Sequence, residues 1–81
     1  MTKKEYQKQL TVILEQLETM KGKIEDIHSQ MDEFHSAKSE RWQESDNGQE
    51  YSSHMDEVLS VIDSLDSAMS TISTVVEGWQ N

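Results

Sequence analysis

Residues 6–34 read YQKQLTVILEQLETMKGKIEDIHSQMDEF, and Tyr6, Leu10, Ile13, Leu17, Met20, Ile24, Ile27, Met31 and Phe34 follow one another at alternating steps of four and three. That alternation is the signature of a coiled-coil seam, because a mean step of 3.5 residues keeps one stripe turned toward a neighbouring helix in a left-handed supercoil. Leu10, Leu17, Ile24 and Met31 take the a positions and Tyr6, Ile13, Met20, Ile27 and Phe34 the d positions. Upstream, Thr2-Lys3-Lys4-Glu5 reads as a capping box that starts the helix almost at the terminus. Downstream, Lys38 and Arg41 fall on the next a and d positions, so the apolar seam ends before the helix does.

A second seam with the same alternation runs through Tyr51, Met55, Val58, Ile62, Leu65, Met69, Ile72, Val76 and Trp79. Between the two lies Ser45-Asp46-Asn47-Gly48, four turn-forming residues with a glycine suited to a left-handed helix end, and Asn47 with Glu50 as a cap for the second helix. The heptad also breaks there: d carried forward from Arg41 lands on Gly48 rather than on Tyr51. The expectation is a single all-α domain over residues 1–81, a two-helix antiparallel coiled-coil hairpin. Its helices span about residues 2–45 and 49–79, with the turn at about 45–49.

The second helix has more apolar surface than one partner needs. Val61, Ala68 and Val75 add a row at g and Leu59 stands at e, and a stripe this wide indicates more than one neighbour. Folding back at residues 46–47 pairs residue i with about 93 − i, which leaves Tyr6 and Leu10 projecting past the second helix. Self-association through Tyr6, Leu10, Ile13, Val61, Ala68 and Val75 is therefore expected, with a dimer forming a four-helix bundle as the simplest closed form.

Composition narrows the function classes. At 81 residues the chain makes one small domain, burying only about 60–65% of its unfolded surface. The absence of cysteine excludes disulfides and thiolate metal sites, and the absence of proline suits a nearly all-helical chain. No signal peptide or transmembrane run is apparent, and a cytoplasmic location is expected. The net charge of −9 disfavours direct binding to nucleic acid or acidic membrane. All seven basic residues lie before residue 46, whereas residues 46–81 carry Asp46, Glu50, Asp56, Glu57, Asp63, Asp66 and Glu77 and no base.

No residue set is arranged for catalysis, and no cofactor or metal is expected. Glu25-Asp26-Ile27-His28 matches the Glu-x-x-His spacing of di-metal bundles. The seam through Ile24 and Ile27, however, puts Glu25 on the outside and His28 on the flank. His28, His35 and His54 read as polar flanking residues.

What remains is a non-enzymatic protein-interaction module that binds and inhibits or recruits a larger protein, with a coiled-coil oligomerisation unit lacking any separate ligand as the alternative. Candidate partner-binding residues are Trp42, beside the turn, and Asp56, Glu57, Asp63 and Asp66, which would meet a basic surface. Seven acids over roughly 50 Å of helix are sparse beside DNA, which carries about one charge per 1.7 Å of axis, so mimicry of nucleic acid is the lesser version.

In size, acidity and lack of catalytic residues the whole chain resembles small accessory proteins of phages and mobile elements. That resemblance implies an inhibitor or adaptor of a nucleic-acid-handling or defence enzyme. In length and hairpin shape it is also similar to secreted helix-turn-helix proteins of the WXG type. Their tryptophan and glycine are separated by one residue in the turn, whereas the five residues Gln43 to Asn47 separate Trp42 from Gly48, and Gly78-Trp79 has the reverse order; that family's function is not carried over.

Overall fold

A computed structural model describes residues 1–78. The described residues form three helices and no strand: α1 (Lys3–Ala37), α2 (Glu40–Glu44) and α3 (Asp46–Glu77). The two long helices lie antiparallel in a rod of 60 × 17 × 15 Å, with the one-turn α2 across the tip. Trp79, expected to end the second seam, lies outside the described residues.

Helix ends follow from side chains that satisfy the first free backbone donors. Thr2 Oγ1 accepts from Glu5 N at 3.3 Å, as the capping box predicts. The other ends depart from expectation. α1 stops at Ala37 rather than near residue 45, because Lys38 and Ser39 are extended and Ser39 Oγ caps α2 by accepting from Trp42 N at 3.2 Å. Ser45 is extended too, and its Oγ accepts from Gly48 N at 3.2 Å while donating to the Trp42 carbonyl. Serines at 39 and 45, not Asn47, start the helices. The reversal thus occupies Lys38 to Ser45, and Ser45-Asp46-Asn47-Gly48 opens α3 instead of forming the turn.

Gly48 has a helical backbone rather than the left-handed one its sequence context suggested. Glycine is needed here for a steric reason. The carbonyls of Trp42 and Gln43 lie where a Cβ would project, so only a residue without a side chain lets α2 fold down onto α3.

Moving the reversal toward the N-terminus changes the register. Gln7 Nε2 donates to the Val76 carbonyl at 2.9 Å, Lys21 Nζ meets Asp66 Oδ1 at 2.6 Å, and the Phe34 and Tyr51 rings are 5.1 Å apart. Residue i therefore faces about 85 − i rather than 93 − i. Tyr6 and Leu10 are partly buried alongside the end of α3 and form no overhang.

The α3 seam is the expected one, with Tyr51, Met55, Val58, Leu65, Met69, Ile72 and Val76 partly buried and Ile62 buried at 9% exposure. The α1 seam is not. Leu10, Leu17, Ile24 and Met31 face α3, but their companions are Leu14, Lys21, His28 and His35, each partly buried. Ile13, Met20, Ile27 and Phe34, expected inside the seam, are exposed; Met20 and Ile27 are each 52% exposed. Lys21 can serve in the e row because its apolar stem lies along α3 while its ammonium reaches Asp66 at the edge.

Candidate interaction surfaces

The rotation of α1 gives the hairpin two unlike sides. Thr11, Leu14, Glu15 and Glu18 of α1 line one groove together with Asp66, Met69, Ser70 and Ser73 of α3. Thr11 and Glu18 each follow a seam leucine, and Asp66 and Ser73 follow Leu65 and Ile72, so residues just after these seam positions share a side. Glu25 and Asp32 continue the row on α1, which makes this side acidic.

Residues just before the seam positions Leu14 and Ile62, and at seven-residue spacing from there, turn the other way. At the tip, Phe34 from α1 and Asn47 and His54 from α3 line a common concavity with Trp42, Glu50 and Tyr51. Extending both rows down the rod gives Phe34, Ile27, Met20, Ile13 and Tyr6 on α1, and His54, Val61, Ala68 and Val75 on α3. Neither row contains a formal charge. Ile13, Met20, Ile27, Phe34, Val61 and Val75 are all 42–52% exposed, a contiguous apolar strip of the kind that marks association surfaces.

Of the six residues expected to self-associate, the structure places Ile13, Val61, Ala68 and Val75 on this uncharged side, all exposed, whereas Tyr6 and Leu10 are partly covered. Sequence reasoning assigned Met20, Ile27 and Phe34 to the intramolecular seam and so missed them as surface. The available signal was Leu14, which makes the α1 stripe three rows wide instead of two.

Trp42 is not a free tryptophan at the tip. It is partly buried, with its ring 5.9 Å from Phe34, 5.8 Å from His35 and 6.0 Å from Tyr51, all nearly edge-to-face. Each such pair adds about 0.5–1.5 kcal/mol beyond burial. Lys38 Nζ stands 4.5 Å from the Phe34 ring centre and caps the cluster as a cation over a π face. His35 stacks on Tyr51 at 6.1 Å, and its Nε2 is buried with no hydrogen-bond partner.

The acids expected to bind a partner divide in two. Asp56, Glu57 and Asp63 are exposed on α3, and Glu57 Oε2 lies 3.5 Å from His54 Nδ1. Asp66 is engaged by Lys21, whose pKa is raised above its ordinary value chiefly by donating a hydrogen bond to that carboxylate. Glu25 is exposed and His28 sits in the seam, so the two do not converge; among the described residues no group of three His, Cys, Asp or Glu side chains is placed to hold a metal. Among those residues, too, no helix is long and apolar enough to cross a membrane.

No protein-family model matches the chain, and no curated protein or solved structure is significantly similar to it. The functional reading therefore rests on residues and geometry.

Proposed function

We propose that this chain is a non-enzymatic protein-interaction module, a small acidic helical hairpin that binds a larger protein and inhibits or recruits it. The observation that carries the reading is the separation of an uncharged apolar side from an acidic one along the same rod. The apolar side offers area for association between copies, and Asp56, Glu57 and Asp63, with the acidic groove beside Glu18, offer counter-charge to a basic surface of the larger protein. A nucleic-acid-handling or defence enzyme is one class of protein with such a surface.

A purely structural oligomerisation unit is favoured by the same apolar strip, and differs in having no use for the acids. The test is affinity capture from cells that make the protein, followed by titration with the purified captured protein. Wild type is compared with Asp56→Asn/Glu57→Gln/Asp63→Asn and with Met20→Glu. A protein whose affinity falls at least about tenfold in the neutralised variant supports the module; equal affinity for all three chains contradicts it.

A further inference from the structure

We propose that the uncharged side of the hairpin seats the same side of a second copy, about a two-fold axis parallel to the rod, so that α1 of each copy packs on α3 of the other. The inference deepens the interaction-module reading by naming the occupant of its apolar side.

Surface area comes first. The chain exposes 6178 Å², whereas a folded monomer of 9.4 kDa exposes about 5000 Å². The excess, about 1200 Å², exceeds the roughly 800 Å² that each partner contributes to a stable dimer. One side of a rod 60 Å long and 17 Å wide has a footprint of about 1000 Å², so that side alone is large enough. Among the described residues Ile62 is the one apolar side chain classed as buried, so a second layer would supply most of the missing core.

Shape selects a second copy and fixes how it sits. The α1 row is long (Ile13, Met20, Ile27) and the α3 row is short (Val61, Ala68, Val75). In the register i with about 85 − i, Met20 falls between the levels of Val61 and Ala68. A two-fold axis along the rod lays each long row over the short row of the other copy at matching height, which is the large-on-small interdigitation that close packing requires. The other two-fold, across the rod, would stack long on long and short on short.

Charge makes the same choice. All bases precede residue 46 and α3 has none, so packing α3 on α3 would bring two purely acidic helices together. The parallel axis instead lays each α3 against α1 of the other copy, and α1 carries Lys3, Lys4, Lys8, Lys21 and Lys23.

The test uses the full chain. Light scattering across a dilution series is combined with helicity on the same samples, and a spin label on Glu44→Cys at the tip measures the distance between copies. The expected result is a mass of twice 9.4 kDa and a tip-to-tip distance within about 30 Å, twice the rod's 15 Å thickness. Met20→Glu is expected to weaken the dimer on the order of 100-fold or more while helicity persists. A dimer with tips separated by most of the 60 Å length, or one indifferent to Met20→Glu, overturns the arrangement. A helical monomer at all concentrations overturns self-association and leaves the capture experiment to decide the interaction reading independently.

Discussion

Lys21 Nζ and Asp66 Oδ1 meet at 2.6 Å across the two long helices, and with Gln7 on the Val76 carbonyl they fix the register of the hairpin. The pair also explains how a lysine occupies a seam position: its stem lies along α3 and its ammonium ends on the acidic side.

That pair has a defined pH signature. Folding raises the Lys21 pKa above 10.5 by the hydrogen bond to Asp66. A group whose pKa is raised on folding contributes fully below its unfolded value and loses that contribution as pH climbs through the folded one. The difference in melting temperature between wild type and Lys21→Gln should therefore be constant across neutral pH and shrink only above pH 10.5. Thermal melts at stepped pH measure it; a difference that vanishes already near neutrality would show that the pair is not formed.

The two glycines of the helices should respond in opposite directions. At Gly48 a methyl group would run into the Trp42 and Gln43 carbonyls, so Gly48→Ala should cost about 1–3 kcal/mol through overpacking. At Gly22 a Cβ meets nothing within 4 Å, and Gly22→Ala should stabilise by up to about 1 kcal/mol through helix propensity. Denaturant melts of both variants check this, and a neutral Gly48→Ala would mean that α2 does not fold down onto α3.

Trp42→Ala removes ring contacts to Phe34, His35 and Tyr51 and should destabilise the hairpin by roughly 1–3 kcal/mol, about half the cost of a fully buried aromatic. Chemical denaturation measures the loss. An unchanged midpoint would return Trp42 to the role of a free contact residue.

Ile62→Ala should cost about 2–4 kcal/mol, because Ile62 is buried in the middle of the seam. The exposed Leu59→Ala should cost well under 1 kcal/mol by the same melts. Equal losses would place Leu59 in a packed interface.

The helical class and the α3 seam from Tyr51 to Val76 were legible from heptad spacing, because α3 has one dominant apolar face, and the antiparallel pairing was legible from the break in that spacing before Tyr51. On α1 the pattern was ambiguous in a physical sense: a, d and part of e are apolar, and α3 can cover only two of the three rows. Which row is left out depends on where the chain turns. That in turn was set by the hydroxyls of Ser39 and Ser45 and by the close approach of Gly48 to Trp42. Ser45-Asp46-Asn47-Gly48 has the composition of a turn and the conformation of a helix start, a distinction local composition does not make. The resulting shift of about eight residues in pairing removed the supposed overhang at Tyr6 and Leu10 and moved the exposed apolar strip to Ile13, Met20, Ile27 and Phe34.

The most direct test of a hairpin with a separate apolar side is the rate of peroxide oxidation of each methionine, read by peptide mass spectrometry at concentrations on either side of any association seen by light scattering. In the dilute monomer Met20 should oxidise several-fold faster than Met55 and Met69, which face α1, and at high concentration its rate should fall toward theirs as the second copy covers it. If Met20 is as slow as Met55 and Met69 in the monomer, the row belongs to the intramolecular seam and the hairpin has no separate apolar side.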